Sequence, residues 1–476
     1  MRAVTAACVL ASALTYAVST GAVNLWPLAW VAPLPILWLA LRVTGRQAAI
    51  AAFVAYALGW IGNLPVFLAV VPLPIVVAMS LAAAAAVAAI VALARAVALR
   101  LDLRLYALAF ALFWTAWEAL VLMPIGAAAE IGFSQADVLP LIQIASLTGV
   151  VGVSFVMTFA PAAVATLLAL RERGRAWRGS AVGSLALVGG VLVFGAVRLL
   201  QAPEAQPVRV GVAVSDEMMG RFRTERADEA MDVVDAYVRR TAELAGRGAQ
   251  VVVLPEKLVG VTPAYAEAVD ERFAKAAAAG DVWLVAGINR IGTPTPRNVA
   301  VVFAPDGRKV LEYDKVHLVP GYEDAYVSGR EIGSLPTAPG PWAVAVCRDL
   351  SVPELGRRLS RAGARLVFAP AWDFGADGPL ESRVARLRAV EGGFALVRAA
   401  KQGVVTVSDA YGRTRLAIPT SRVREVLAVV PVVPGSGSTL YARAGDWFGR
   451  LCVAGAALLL LGLGLRVRRA RAPARS

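Results

Sequence analysis

Long apolar runs occupy the first 200 residues of this chain and return once near its end. Few charges interrupt residues 1–200, whereas residues 207–433 are an ordinary mixture of polar and apolar side chains. A last apolar run, residues 450–466, is about long enough to span a bilayer. Since a bilayer interior accepts backbone only with its hydrogen bonds made, these runs predict membrane helices.

The apolar runs divide into eight predicted transmembrane helices, about seven of them before residue 200. The third and fourth are separated only by prolines and short polar breaks. The eight helices cover about residues 3–20, 25–42, 48–70, 73–98, 104–125, 139–169, 180–200 and 450–466. We therefore divide the chain into five parts. These are a membrane domain (1–200), a polar domain (207–433), a linker (434–449), a C-terminal transmembrane helix (450–466) and a basic tail (467–476).

Basic residues fall at alternate connections between the predicted helices, while the connection near Glu130 and Asp137 is acidic. The basic connections contain Arg2, Arg42, Arg46, Arg95, Arg100, Arg104 and Arg171 to Arg178. Basic loops are cytoplasmic by the positive-inside rule. Seven spans from a cytoplasmic N-terminus then put residues 207–433 outside the cytoplasm, and the eighth returns the tail to it.

The net charge of +14 would fit a nucleic-acid partner. Much of this charge, however, lies in the juxtamembrane loops and the tail, where topology and anionic lipid explain it better. We expect a membrane partner and no nucleic acid.

Three chemically active side chains in the polar domain each follow a strand-like segment. Glu256 follows residues 251–254, Lys315 follows a hairpin-like stretch, and Cys347 follows residues 342–346. Cys347 is the only cysteine outside an apolar run, so this domain has no partner for a disulfide. A thiol needs a base and a stabilised oxyanion to act as a nucleophile, and a carboxylate and an ammonium supply them.

Each of these residues also has an ordinary structural alternative. Cys347 alone could be an inert core cysteine, and Glu256 with Lys315 could be a surface salt bridge. His317 is the only histidine, so a serine–histidine or cysteine–histidine mechanism would have this one residue as its base. A zinc site would have too few ligands. The ordered spacings of 59 and 32 residues between the three favour one catalytic site.

Short β-rich runs alternate with helical patterns across the polar domain, which predicts an α/β fold. Strands are predicted at 208–214, 251–254, 282–287, 298–313 (a hairpin), 343–346, 366–369, 394–399 and 403–409, and helices at 227–246 and 381–392.

The order Glu256, Lys315, Cys347 resembles the triad of the nitrilase (carbon–nitrogen hydrolase) superfamily. That resemblance implies a four-layer αββα sandwich. The predicted fold is therefore a multi-span α-helical membrane domain joined to an extracytoplasmic α/β domain of the nitrilase type.

The whole chain, with its membrane helices, resembles the apolipoprotein N-acyltransferase family. The matching stretches are 25–30, 114–118, 131–135, 141–150, 152–155, 318–320 with Glu323, 372–375 and 388–391. By this resemblance a second glutamate, Glu323, is functionally important. Arg348 and Asp349 are weaker candidates, which would orient the substrate or close the turn after the nucleophile.

The resemblance implies that Cys347 takes an acyl chain from a phospholipid as a thioester. A lipoprotein's diacylglyceryl-cysteine amine then receives the chain. It also implies a multi-pass protein of the bacterial inner membrane with its catalytic domain on the periplasmic side. We expect a monomer that uses no metal or cofactor.

The chain departs from the family's pattern in three segments: 213–220, 348–349 and 400–403, where Ala-Lys-Gln-Gly stands for the usual Asn-Asn-Gly. These changes predict altered contacts around the acyl donor or acceptor. They leave open a membrane-tethered amidase, or an acyltransferase for another amine. A silent nitrilase-like scaffold or a transporter is disfavoured by the intact triad and the few charges in the helices.

Overall fold

The computed structural model describes residues 2–21, 23–126, 129–201, 205–335 and 340–471. The chain forms two units, one of Met1–Leu200 with Asp446–Ser476 and one of Gln201–Gly445. Residues 472–476 of the predicted basic tail lie outside the described residues.

In the described part of the first unit, seven helices are long and apolar enough to cross a membrane. They are Arg2–Ser19, Gly45–Leu68, Leu73–Arg100, Leu103–Leu122, Val150–Glu172, Arg178–Leu200 and Trp447–Arg469. Their length and composition fit the predicted membrane domain. The number of spans and their direction stay predictions.

Two of the predicted membrane helices are interrupted. Residues 25–42 form two short helices, Trp26–Ala29 and Leu34–Ala40, each with a proline in its first turn. Residues 139–169 form Leu139–Ile142, Ala145–Thr148 and the start of a long helix. Gly149, with φ 75°, ends the second of these, because a residue without Cβ adopts that conformation at little cost.

The second unit contains two β-sheets built from 13 strands in its described residues. The strands are β1 (Val208–Ser215), β2 (Val251–Val253), β3 (Gly260–Val261), β4 (Trp283–Arg290), β5 (Arg297–Phe303), β6 (Lys309–Asp314), β7 (Gly333–Leu335), β8 (Trp342–Val344), β9 (Leu366–Trp372), β10 (Ala395–Lys401), β11 (Val404–Ser408), β12 (Thr414–Pro419) and β13 (Glu425–Val432). The first sheet has the order β13-β1-β2-β4-β5-β6, with β3 beside β4. The second has the order β12-β11-β10-β9-β8-β7.

The centre of each sheet is parallel and its edges are antiparallel. Strands β1, β2 and β4 run parallel in the first sheet, and β8, β9 and β10 do so in the second. In such sheets, side chains that follow the carboxyl ends of neighbouring strands meet at one edge, where ligands bind.

The sheets pack face to face, and helices cover their outer faces. Alternate residues of β1, such as Val210 and Val212, join Val344 and Phe368 of the second sheet in one buried cluster. Helices α1 (Ala227–Gly246) and α2 (Ala266–Gly280) pack on the first sheet, and α3 (Pro353–Arg361) and α4 (Gly378–Gly392) on the second. The predicted αββα sandwich is confirmed.

Elements with weak patterns were absent from the predictions: β3, β7, β12, β13, α2 and α3. The segment interpreted as a linker, 434–449, is partly folded in the second unit. The Gly435 N–H donates to the Arg365 carbonyl at 2.8 Å, and Thr439 caps the short helix α5 (Leu440–Ala444).

Candidate active site

The three residues of the predicted triad come from three strand ends. Glu256 lies in the turn after β2, Lys315 directly follows β6, and Cys347 begins a short 3₁₀ turn after β8. Each is buried, with exposed fractions of 2%, 1% and 8%. The backbone N–H of Glu256 donates to the carbonyl of Ala371 at the end of β9 (3.4 Å), which joins the two sheets at this edge.

Lys315 bridges two buried carboxylates. Its Nζ lies 2.8 Å from Glu256 Oε1 and 2.9 Å from Glu323 Oε2. Burial opposes the charge of Lys315, but Glu256, Cys347 and Glu323 outweigh it and raise the pKa of Lys315. The Lys315 side chain therefore stays a charged ammonium near the thiol, where it can stabilise a developing oxyanion.

Asn298 and Lys257 complete this network, and neither was predicted. Asn298 Nδ2 donates to Glu256 Oε1 at 2.6 Å and to Glu323 Oε1 at 2.7 Å, and Lys257 Nζ lies 2.6 Å from Glu323 Oε1. Burial would raise the pKa of Glu323, but Lys315 and Lys257 lower it to about 2. The only signal for Asn298 in the sequence is an amide within an apolar strand.

The two oxygens of Glu256 have different surroundings. Oε1 accepts hydrogen bonds from Lys315 and Asn298, whereas Oε2 is buried and has no hydrogen-bond partner within the described ranges. Oε1 orients the carboxylate, and Oε2 keeps its lone pairs for an incoming proton. This arrangement suits a general base.

Cys347 begins a tight turn and has a backbone conformation that is rare for a residue with a side chain. Its φ is 48°, in the left-handed region that non-glycine residues rarely adopt and that costs about 1–3 kcal/mol. Its Sγ donates to the Trp372 carbonyl at 3.4 Å. Burial and the charge of Glu256 raise the pKa of the Cys347 thiol, and Lys315 only partly offsets them. The resting thiol is thus protonated and requires a base.

Asp349 holds this turn in place. Its Oδ2 accepts from the Val346 N–H at 2.9 Å and the Tyr313 hydroxyl at 2.8 Å, and its Oδ1 accepts from the N–H groups of Val316 and His317 at 3.1 and 2.8 Å. Asp349 therefore connects the nucleophile's turn to the segment that carries Lys315. This geometry fits the turn-closing alternative for Asp349.

Arg348 is half-buried in the same turn. Its carbonyl accepts from the Ser351 N–H at 2.9 Å, which closes the turn. The Arg348 guanidinium also counteracts the rise that burial causes in the pKa of Glu381. Arg348 therefore contributes to the turn and to the charge balance behind it.

A buried ion pair lies near Cys347. Arg398 on β10 pairs with Asp373, which follows β9, and both are almost wholly buried. Asp373 would clash with a Cβ at Gly403, so glycine is required there. Within the described residues, no group of three histidine, cysteine or carboxylate side chains is arranged to hold a metal ion.

Comparisons with known proteins give matches in both units of the chain. Residues 210–425 match the carbon–nitrogen hydrolase family, and residues 12–163 match the apolipoprotein N-acyltransferase N-terminal domain. An apolipoprotein N-acyltransferase of Geobacter metallireducens is 28% identical over 375 residues, which is 70% of this chain and 68% of the relative. The enzyme of that name from Bradyrhizobium diazoefficiens is 28% identical over 413 residues (77% and 73%). The one from Gloeobacter violaceus is 34% identical over 308 residues (58% and 56%).

The αββα fold and the matched domain make the second unit a carbon–nitrogen hydrolase of the nitrilase type. The membrane unit adds the second match, and curated relatives align across both units. The chain belongs to the apolipoprotein N-acyltransferase family, as the sequence predicted.

Proposed function

We propose that this chain transfers a fatty acyl chain from a phospholipid to the N-terminal amine of a lipoprotein's diacylglyceryl-cysteine. The observation that carries the proposal is the buried thiol of Cys347 beside Glu256 and Lys315, in a unit that apolar helices precede and follow. The names of the relatives support the same activity.

In the first half-reaction, Glu256 Oε2 takes the proton of the Cys347 thiol as the thiolate attacks the ester carbonyl carbon. A carbon–sulfur bond forms, and the Lys315 ammonium stabilises the oxyanion. When the intermediate collapses, the carbon–oxygen bond breaks, and Glu256 returns the proton to the departing lysophospholipid oxygen. The products are a thioester and a lysophospholipid.

In the second half-reaction, the acceptor's amine attacks the thioester carbonyl. A carbon–nitrogen bond forms and the carbon–sulfur bond breaks. Glu256 takes a proton from the attacking nitrogen and gives it to the sulfur of Cys347. The free thiol and an amide-linked lipoprotein result.

Five further residues support this chemistry in the proposal. Glu323, Asn298 and Lys257 hold Lys315 and Glu256 in place through their hydrogen bonds and ion pairs. Asp349 orients the nucleophile's turn. Arg348 closes it.

The location of the protein is part of the proposal. Family membership and the long apolar helices make it a membrane protein. Alternating basic loops support a multi-pass protein of the bacterial inner membrane with residues 207–433 on the periplasmic side. We propose that it works as a monomer, next to phospholipid and lipoprotein substrates.

Intact-mass analysis of the full-length protein with dipalmitoyl phosphatidylglycerol tests this function. Wild type should gain one palmitoyl group, and a diacylglyceryl-cysteine peptide should remove it. Cys347→Ala should gain none, whereas Cys8→Ala, which removes a thiol from a membrane helix, should behave as wild type. An adduct that the peptide does not remove would indicate another amine acceptor, and no adduct would indicate a membrane-tethered amidase or a silent nitrilase-like scaffold.

A further inference from the structure

Lys401 is a third lysine at the active-site edge, after Lys257 and Lys315. It is the last residue of β10 and pairs in register with Trp372, the last residue of β9. Only 2% of Lys401 is exposed. A buried lysine is costly unless its charge is compensated or lost.

The contacts of Lys401 hold its amine beside the catalytic base. Its Nζ donates to the carbonyl of Lys257, the residue after Glu256, at 2.9 Å. The same nitrogen lies 3.8 Å from the centroid of the Trp372 ring and 5.8 Å from that of Phe222. Trp372 also accepts the hydrogen bond of the Cys347 thiol, so a single residue contacts both the nucleophile and this amine.

Lys401 differs from its two neighbouring lysines in having no carboxylate partner. Lys315 and Lys257 form ion pairs with Glu256 and Glu323. Among the described residues, no Asp or Glu oxygen lies within 4.0 Å of Lys401 Nζ. The amine is buried, oriented and without a counter-ion.

Burial of Lys401 favours the uncharged amine. Burial lowers the pKa of Lys401 to about 7, with a smaller contribution from Lys257. Glu256 and Asp216 act in the opposite sense, and Asp216 is engaged by the Gln402 N–H at 2.8 Å. Asp373, which directly follows β9, is another nearby carboxylate, and it is paired with Arg398. The amine therefore gains or loses its proton close to neutral pH.

An acceptor that enters as an ammonium releases one proton more than Glu256 passes from nitrogen to sulfur. A free α-amine has a pKa of about 7.7–8.0, so at neutral pH the acceptor is mostly an ammonium. Its nitrogen must lose two protons to become the amide. One ends on the sulfur of Cys347 as the carbon–sulfur bond breaks, and the other passes to solvent or to a second base in the site.

We propose that Lys401 is this second base, which accepts the proton that the acceptor's ammonium loses before it attacks the Cys347 thioester. The ammonium becomes a neutral amine, Lys401 becomes an ammonium, and Lys401 then releases the proton to solvent. This inference rests on the acyl transfer proposed above and assigns a role to a residue that the Glu256–Lys315–Cys347 triad does not use.

Two variants separate the base from a merely structural lysine. Lys401→Arg keeps a cation but cannot act as a base, and Lys401→Met keeps most of the apolar stem. For each full-length variant, we would measure thioester formation from dipalmitoyl phosphatidylglycerol and the discharge of that thioester by a diacylglyceryl-cysteine peptide, between pH 6 and 9. Hydroxylamine, which is unprotonated at neutral pH, would serve as a second acceptor.

Both variants should slow discharge by the peptide at pH 7 at least tenfold more than they slow thioester formation. The defect should shrink as pH rises and be absent with hydroxylamine. Discharge by Lys401→Arg at the wild-type rate, or an equal loss with hydroxylamine or in thioester formation, would overturn the proposal. If wild type forms no thioester, the proposed acyl transfer itself is wrong. If wild type forms the thioester and the Lys401 variants discharge it normally, only the role of Lys401 is wrong.

Discussion

Glu256 Oε1 lies 2.8 Å from Lys315 Nζ, while the other oxygen of the same carboxylate has no hydrogen-bond partner in the part of the chain that the structure describes. We propose that this one carboxylate performs two tasks. Oε1 anchors the charge that stabilises the oxyanion, and Oε2 is left to move a proton.

Glu256→Gln should slow thioester formation by about 10²- to 10⁴-fold, because an amide cannot take the thiol proton. The amide oxygen can still accept from Lys315 and Asn298, so the fold should persist. Thioester formation followed by mass spectrometry measures the effect. Glu331→Gln, at an exposed carboxylate, is the control and should match wild type. A rate in Glu256→Gln within a few-fold of wild type would remove Glu256 as the base.

Lys315→Met should impair both catalysis and stability. The loss of the oxyanion's cation should slow thioester formation by about 10²- to 10³-fold. The variant also leaves Glu256 and Glu323 without their shared cation, which should destabilise the protein by about 3–5 kcal/mol.

Activity and thermal unfolding in detergent measure the two effects of Lys315→Met. The matched control is Lys275→Met, whose partner is the exposed Glu271 of the same helix. Its melting temperature should not change. Equal stability of Lys315→Met and wild type would contradict the bridging role of Lys315.

The acid sensitivity of the fold should depend on Glu323. Because its pKa is lowered to about 2 in the folded protein, its stabilisation is fully present above about pH 4.3, the pKa of an unfolded glutamate. The stabilisation is lost as pH falls from there through about 2. The gap in melting temperature between wild type and Glu323→Gln should therefore be widest at pH 5 and above, and should close toward pH 2. A gap that is constant with pH would exclude this account.

Asp349→Asn should weaken the turn that carries Cys347. The carboxylate accepts four hydrogen bonds, and an amide presents an NH₂ group to at least one of those donors. We expect a loss of about 1–3 kcal/mol in unfolding free energy together with slower thioester formation. Asp324→Asn, at an exposed carboxylate that accepts from Gly321, should change neither quantity. If Asp349→Asn alters activity without altering stability, Asp349 contacts the substrate instead.

Sequence patterns predicted the strand ends that carry the site. A run such as 251–254 is apolar up to Glu256, and a strand–turn boundary of this kind depends on neighbouring residues only. The roles of individual residues within the site were harder to predict from the sequence. In the sequence, Asn298 is one polar residue in a strand, and Asp349 is compatible with orienting the substrate or with closing a turn. The sequence does not distinguish these roles, because the hydrogen-bond partners of both residues come from distant segments of the chain.

By itself, the sequence determined which segments are apolar enough for membrane helices and which strand ends carry a thiol, a carboxylate and an ammonium. These properties are local, since they follow from side-chain chemistry and short-range periodicity. Only the tertiary structure decided that one oxygen of Glu256 has no hydrogen-bond partner among the described residues. It also decided that Lys401 lies over Trp372, beside a carbonyl 144 residues away in sequence. Burial and partner choice depend on the register and packing of two sheets, which bring together residues that no local pattern connects.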